Sequence, residues 1–231
     1  MGKLLIDNED KLILTITKIM DKNNSANVDN YAEIFTPLNL VKIMLNDFPK
    51  NVWCNKSLRW FDMAAGVGNF SIVIYHRLLI GLQGVIKDEV ARKKHILENM
   101  LYFSEINPNN VKMINKIFNT NGEYKLNIHS GNSLDISPDN FEYKFDIIVS
   151  NPPYHKTGRK ASGGKGSGLH FEFITKAFEM IKTNGYVLMI HPRNWRKIGS
   201  PILPLYSNTT FITLHLNYGR KYFTNVAVNT D

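Results

Sequence analysis

The stretch FDIIVSNPPY ends in the groups with the clearest chemical potential in this chain of 231 residues. The four residues that follow the apolar run are Asn151, Pro152, Pro153 and Tyr154. Two successive prolines fix two φ angles and remove two backbone donors, so the chain is stiff here and cannot continue a sheet. The stretch therefore predicts a rigid ledge at a strand end, which presents one amide side chain and one aromatic ring.

Such a ledge suits chemistry on an exocyclic amine. The lone pair of an amine that is conjugated with a ring is drawn into that ring, so the amine is a poor nucleophile. Two acceptors aimed at its hydrogens, the Asn151 side-chain oxygen and the Pro152 carbonyl, would free the lone pair, and stiff prolines would hold both oxygens in place. Tyr154 would provide a face for base stacking, worth about 1–3 kcal/mol. This chemistry needs no metal ion, and the histidines lack metal-ligand spacing.

Glycines and polar residues also follow three earlier strand-like runs. Gly66 and Gly68 follow the first run, where glycine permits a positive φ and a close approach of a ligand. Glu105 closes the next run and can accept both hydroxyls of a ribose, and Asn132 closes the third and can meet the edge of a base. Such features at consecutive strand ends favour a cofactor that contains a nucleoside. The third glycine of a dinucleotide fingerprint is absent, which disfavours a nicotinamide.

The elements that must position these residues alternate between strand-like and helix-like runs. The alternation predicts an α/β fold with a mostly parallel, twisted sheet and helices on both faces. The runs TFITLHLN and TNVAVNT predict a closing antiparallel strand pair. We expect an N-terminal helical segment over residues 1–30 and a catalytic domain over residues 31–231. Thr36 and Pro37 predict the N-cap and first position of a helix in that domain.

The charge of the chain favours a polyanionic partner. The 28 lysines and arginines outnumber the 20 acidic residues, which gives a formal net charge of +8. In the glycine-rich run HKTGRKASGGKGSG, the residues Lys156, Arg159 and Lys160 are candidate contacts to phosphates. The single cysteine fits a reducing, cytoplasmic location, and no apolar stretch is long enough to span a bilayer. We expect a cytoplasmic protein that binds nucleic acid and no membrane.

Five motifs stand in a fixed order along the chain: FTP, FDMAAGVGNF, SEINP, GNSLD and SNPPY. The series resembles the adenine-N6 DNA methyltransferases of the gamma class, and the likeness covers nearly all of the chain from about Tyr31 onward. It implies a Rossmann-like class I methyltransferase fold and S-adenosylmethionine as cofactor. It also implies methylation of adenine N6 in DNA, in the setting of DNA modification and restriction. The target base would be flipped into the Asn-Pro-Pro-Tyr site.

The resemblance also implies a role for individual residues. The residues that it assigns to the cofactor are Phe35, Thr36, Asp62, Ala64, Gly66, Gly68, Glu105, Ile106, Asn132, Ser133 and Phe171. Asp62 and the glycine turn would hold the methionine part, Glu105 would bind the ribose, and Ile106 would pack on the adenine. Phe223 would lie against the extruded base, beside the catalytic residues Asn151, Pro152, Pro153 and Tyr154.

Other interpretations of the same residues remain open. Enzymes that methylate a glutamine amide on translation release factors share the Asn-Pro-Pro-Tyr motif, and so do RNA methyltransferases; the FTP helix and the basic run favour a nucleic acid. A binding subunit without turnover is an alternative of another class. The intact motif Asn151–Tyr154 argues against it, whereas Asn132, which stands where the family has aspartate, and the lack of a recognition domain leave it open. No separate target-recognition domain is visible, so we expect either that the chain is a fragment of a longer protein or that loops or a partner chain select the target.

Overall fold

The computed structural model describes residues 4–8, 11–12, 14–16, 35–137, 144–154, 168–214 and 222–223. At its centre lies a five-stranded sheet with the order β3-β2-β1-β4-β5. The strands are β1 (Trp60–Asp62), β2 (Leu101–Glu105), β3 (Asn127–Ser130), β4 (Phe145–Ser150) and β5 (Ile181–Met189). Each neighbouring pair in this sheet is parallel. The predicted α/β fold with a mostly parallel sheet is confirmed.

Among the described residues, 11–12 and 14–16 are helical, and six further α-helices connect or flank the strands. They are α1 (Leu38–Met44), α2 (Asn69–Gly81), α3 (Glu89–His95), α4 (Pro108–Phe118), α5 (Leu169–Met180) and α6 (Leu203–Ser207). Asn107 caps α4, because its side chain accepts a hydrogen bond from the Asn109 amide at 3.0 Å. Asp88 caps α3 in the same way through the Ala91 amide at 2.7 Å. Within the described ranges, no helix is both long and apolar enough to cross a membrane.

The helices lie on both faces of the sheet, as the two hydrophobic clusters that contain alternate strand residues show. Along β1, Trp60 belongs to the hydrophobic cluster that contains residues of α1, α2 and α4, whereas Phe61 belongs to a second cluster that contains residues of α5. The same alternation separates Phe103 from Tyr102 in β2. Successive side chains of a strand point to opposite faces, so a sheet covered on both sides needs strands that are apolar throughout.

Two details differ from the sequence prediction. Helix α1 begins at Leu38, and Pro37 keeps an extended ψ of 138° just before it, so the assignment of Thr36 as N-cap and Pro37 as first helical residue was wrong by one position. The Thr36 hydroxyl instead meets the Asn151 side chain. The predicted closing strand pair falls mostly outside the described residues, and the described residues 211–214 form no strand.

The described residues of the N-terminal segment share the hydrophobic core of the domain that contains the sheet. Leu4, Ile6, Leu12 and Ile16 are all buried in the same cluster as α2 and α4. Asp7 accepts a hydrogen bond from the Tyr75 hydroxyl of α2 at 3.2 Å. The segment therefore covers one face of the domain through apolar packing. The proposed boundary at residue 30 stays a prediction.

We expect the variant Ile6→Ala to lower the free energy of unfolding by about 2–4 kcal/mol, because it removes a fully buried side chain from a packed core. Urea titration measures this change. Leu14→Ala is the matched control, since Leu14 is 55% exposed, and it should change stability by about 0.5 kcal/mol or less. Equal effects of the two substitutions would contradict the shared core.

Candidate functional site

The carboxyl ends of three neighbouring strands bring the predicted site residues together. β1 ends at Asp62, β2 at Glu105 and β4 at Ser150, and all three strands run in the same direction. β1 pairs with β2 on one side and with β4 on the other, so the order of strands reverses at β1. Ligands of open parallel sheets bind in the crevice at such a point, beyond the carboxyl ends.

The turn after β1 requires glycine at two positions. Gly66 has a φ of 56° and Gly68 a φ of 92°, a region that other residues rarely adopt. A Cβ atom on Gly66 would lie 3.2 Å from the Phe35 ring, and one on Gly68 would lie 2.9 Å from the Phe118 ring. The turn is therefore closely packed by aromatic side chains, and its backbone is the surface that faces the crevice.

Glu105 connects this turn to the end of β2. Its Oε2 atom accepts a hydrogen bond from the Gly66 amide at 2.7 Å, and its Oε1 atom accepts one from the Asn107 amide, also at 2.7 Å. The side chain is buried. A carboxylate has about four lone-pair positions, so both oxygens can still accept hydroxyl groups. The next residue, Ile106, is 55% exposed, which leaves a large apolar side chain uncovered at the strand end.

The end of β3 is joined to the same edge through Ser133. Its hydroxyl donates to the Met63 carbonyl, and its Oγ atom lies 2.7 Å from the Ser104 hydroxyl. Asn132 accepts a hydrogen bond from the Leu134 amide at 3.2 Å, so its side chain caps the short turn Ser133–Asp135. Ser133 is buried and links three strand ends, whereas Asn132 remains partly exposed.

Asp62 is a buried carboxyl group at the end of β1. Its Oδ2 atom accepts a hydrogen bond from Ser71 at 3.2 Å, and its Oδ1 atom has no partner among the described residues. Burial raises the pKa of Asp62 to about 7; the Ser71 hydrogen bond and the nearby Ala64 backbone act against this shift, and the nearby Glu105 adds to it. The site therefore contains a carboxyl group whose charge changes near neutral pH.

The amide of Asn151 is held at both ends. Its Nδ2 atom donates to the Thr36 hydroxyl at 3.1 Å, and its Oδ1 atom accepts from the Tyr154 hydroxyl at 3.2 Å. Burial raises the pKa of Tyr154 well above its usual range, so the phenol stays protonated and acts as a donor. The Tyr154 ring meets His170 edge-on, with ring centroids 6.1 Å apart.

The glycine turn and the Asn151 amide line the same small cavity of about 30 Å³. The lining residues are Phe35, Thr36, Ala64, Ala65, Gly66, Asn69, Phe70 and Asn151. Residues separated by more than a hundred positions in the sequence thus form one wall. This arrangement brings together the predicted catalytic amide and the first predicted cofactor turn.

The remaining predicted residues do not line this small cavity. Phe171 is half-buried and lines a wider depression of about 450 Å³ with Leu134 and residues of α5. Phe223 is buried in the large hydrophobic cluster, with 8% of its surface exposed. Pro152 is buried and Pro153 is half-buried on the ledge. Lys156, Arg159 and Lys160 lie outside the described residues.

Two residues at the start of α2 belong to the site although the sequence analysis passed over them. Asn69 donates to the Thr36 carbonyl at 2.8 Å, and Ser71 donates to Asp62. Little in the sequence indicates that Asn69 and Ser71 belong to a functional site. Short polar residues at the start of an otherwise apolar helix are the usual composition of a helix N-terminus, so their contacts with distant residues could not be read from the pattern.

Residues 10–223 match the sequence profile of the Eco57I restriction-modification methylases. The chain belongs to this family. An uncharacterized adenine-specific methylase of Mycoplasma pneumoniae is 26% identical to this chain in an alignment that covers 73% of this chain and 57% of the relative. This Eco57I-type methylase chain therefore spans little more than half the length of that relative, and the resemblance seen in its five motifs is confirmed at the level of the family.

Solved structures share the fold at low sequence identity. A structure of a type I restriction-modification system has a TM-score of 0.61 at 14% identity and covers 88% of this chain and 40% of that one. The DNA-bound, ATP-dependent Type ISP enzyme LlaBIII has a TM-score of 0.59 at 16% identity, over 83% of this chain and 17% of that one. A Listeria monocytogenes protein is provisionally described as a class I S-adenosylmethionine-dependent methyltransferase. It has a TM-score of 0.58 at 16% identity and covers 86% of this chain and 57% of that one. The predicted Rossmann-like methyltransferase fold is confirmed.

We expect the stability of the ligand-free methylase chain to fall as the pH rises from about 4 to 7. The folded state keeps the Asp62 proton up to a pKa of about 7, whereas the unfolded state releases it near 3.8, so the folded state binds more protons in this window. The decrease in the free energy of unfolding from this group should reach about 4 kcal/mol. Above about pH 8, where both states have lost the proton, its contribution should be constant.

Urea titrations at pH 5, 6, 7 and 8 measure this dependence, and Asp62→Asn should remove it because an amide does not titrate. The control is Asp135→Asn, which changes an exposed carboxyl group in the turn after β3 and should keep the wild-type pH dependence. An Asp62→Asn profile parallel to that of the wild type would show that Asp62 does not carry the proton.

Proposed function

We propose that this chain is the catalytic module of a DNA methyltransferase that transfers a methyl group from S-adenosylmethionine to the N6 amino group of adenine. The observation that carries the proposal is the position of the Asn151 amide. It lies on the wall of the cavity that is shared with the glycine turn, between Thr36 and Tyr154. An acceptor for an amine thus adjoins the turn on which the cofactor is expected to lie.

The strand-end residues fit S-adenosylmethionine. The unpartnered Asp62 Oδ1 atom offers an acceptor to its amino group, and the Gly66–Gly68 turn, with Phe35, Thr36 and Ala64, would surround the methionine part. Glu105 is already oriented by two backbone amides to receive the ribose hydroxyls. The exposed Ile106 would pack on the adenine, with Asn132, Ser133 and Phe171 on its far side. The cofactor supplies an electrophilic methyl group.

The ledge at Asn151 suits a neutral amine nucleophile. An amide oxygen has two lone pairs, so Asn151 Oδ1 can keep the Tyr154 hydroxyl and accept one amine hydrogen. The Pro152 carbonyl would accept the other. Both oxygens are held before the substrate arrives, which lowers the reorganisation needed during the reaction. Tyr154 acts as a donor and a stacking surface, since its raised pKa excludes a phenolate near neutral pH.

Adenine in DNA is the proposed substrate because the family is that of restriction-modification methylases and the chain carries a net charge of +8. Base flipping would bring the adenine onto Tyr154. The basic residues Lys156, Arg159 and Lys160 would contact phosphates. Because this chain spans about half of its curated relative, we propose that a further domain or a partner subunit reads the target sequence.

We expect Asn151→Ala to lower methyl transfer about 10²–10³-fold, because the change removes one preorganised acceptor. Its affinity for S-adenosylmethionine should stay within about threefold of the wild type. A tritiated-methyl assay offers DNA, RNA and protein separately, and digestion of the labelled product to nucleosides identifies the base. Asn115→Ala, on the exposed face of α4, is the control. Label that enters only RNA or protein, or unchanged transfer by Asn151→Ala, would contradict the proposal.

The roles of the Tyr154 ring and hydroxyl can be separated with two variants. Tyr154→Phe keeps the stacking face and should lower kcat about tenfold or less, because only one neutral hydrogen bond is lost. Tyr154→Ala should weaken extrusion of the target base about 10- to 100-fold, corresponding to the stacking energy. A duplex with 2-aminopurine at the target position reports extrusion by its fluorescence. Equal fluorescence with both variants would exclude a stacking role.

A further inference from the structure

Two hydrogen bonds connect the start of α2 to the catalytic amide through Thr36. The Asn69 side chain donates to the Thr36 carbonyl at 2.8 Å, and the Asn151 side chain donates to the Thr36 hydroxyl at 3.1 Å. Thr36 and Asn69 are each 4% exposed. The three residues come from three different segments, so the chain of bonds exists only in the folded protein.

The hydrogen bond from Asn151 to the Thr36 hydroxyl matters because the primary amide of an asparagine rotates easily about the covalent bond that joins it to the side chain. This torsion has a broad energy minimum and is not fixed by staggering. Tyr154 holds only the oxygen end of the Asn151 amide, and Thr36 holds the nitrogen end. With both ends held, the amide plane is fixed, and so is the direction in which Oδ1 can accept a further hydrogen.

Thr36 is itself fixed in a specific way. The next residue, Pro37, has an extended ψ of 138°, so the backbone is straight up to the start of α1. The preceding residue, Phe35, packs its ring against Gly66. Asn69, which is the first residue of α2, donates a hydrogen bond to the Thr36 carbonyl and so connects Thr36 to this helix. The hydroxyl of Thr36 is thus held relative to both the glycine turn and the strand end of β4.

We propose that Thr36 is a positioning residue for the reaction, which fixes the plane of the Asn151 amide, and that Asn69 in turn fixes Thr36. The inference rests on the proposed function, in which Asn151 Oδ1 accepts a hydrogen of the target amine. It adds a second role to Thr36, which the sequence assigns only to cofactor binding. It also explains why Asn69, whose position in the sequence carries no signal, is buried next to the site.

The first test is the variant Thr36→Val, which keeps the shape of the side chain and removes the hydroxyl. At saturating cofactor and DNA, kcat should fall about 10²-fold, the size of effect expected when a reacting group is misplaced by about 1 Å. Thr36→Ser restores the hydroxyl and should stay within about threefold of the wild type. Thr183→Val removes a hydroxyl at an exposed position and serves as the control.

A role in cofactor binding alone predicts a different result. In that case Thr36→Val would raise the dissociation constant for S-adenosylmethionine, measured by calorimetry, and leave kcat at saturation within about threefold of the wild type. That outcome overturns the proposal. A fall of tenfold or more in kcat at saturation supports it, whatever the change in cofactor affinity, provided that Thr36→Ser recovers the rate.

A variant of Asn69 provides a second, independent test in case Thr36→Val fails to fold. Asn69→Leu removes the hydrogen bond to the Thr36 carbonyl and should lower kcat about tenfold. The double variant Asn69→Leu with Thr36→Val should be no slower than Thr36→Val alone, because both changes act through one amide. Asn115→Leu is the control, since Asn115 also donates to a backbone carbonyl but lies exposed on α4. Fully additive losses would overturn the linked arrangement.

An NMR measurement separates this inference from the proposed function. The side-chain NH₂ resonances of Asn151, identified by their loss in Asn151→Ala, are recorded without DNA. They should shift or broaden in Thr36→Val and remain at wild-type positions in Thr36→Ser. If the wild-type chain transfers no methyl group to DNA while these resonances respond to Thr36, the proposed function fails and the positioning of Asn151 stands. Unaltered Asn151 resonances in Thr36→Val would overturn the inference.

Discussion

The site depends on the Glu105 carboxylate, which accepts hydrogen bonds from the backbone amides of Gly66 and Asn107. Parallel strands bring their carboxyl ends to one edge of a sheet, but they do not determine how the loops beyond that edge are arranged. A buried carboxylate between two loops does so, because an unpaired charge in this position would be costly. The turn after β1 and the turn after β2 are therefore held together before any ligand binds.

The same edge is built so that few of its polar groups face water. Asp62, Glu105 and Ser133 are all buried, and the hydroxyl of Ser133 joins the ends of β1 and β2. Burial is the main reason for the raised pKa of Asp62, and the nearby Glu105 raises it further, because two carboxyl groups so close together cannot both be charged at low cost. A cationic cofactor group would relieve that repulsion, so the electrostatics of this edge favour the proposed ligand.

The ledge after β4 completes the site in a different manner. The stiffness of its backbone does not depend on other parts of the protein, since Pro152 and Pro153 restrict their own backbone angles in any surroundings. The direction of the Asn151 amide is not local, since it depends on Thr36 from the segment before α1 and on Tyr154. The proposed catalytic group thus combines a backbone that the sequence makes rigid with a side chain that distant residues orient.

The sequence by itself determined the alternation of strands and helices, the glycine turn, and the residues at each strand end, because periodicity, glycine and proline act through short-range sterics. It also identified the family, because five short motifs in order are specific. It misplaced the start of α1 by one residue, and it did not indicate Asn69, Ser71 or the burial of Ile6. Only the tertiary structure decided these points, because each depends on hydrogen bonds or apolar contacts between segments far apart in the chain, and a linear pattern contains no information on which distant groups will meet.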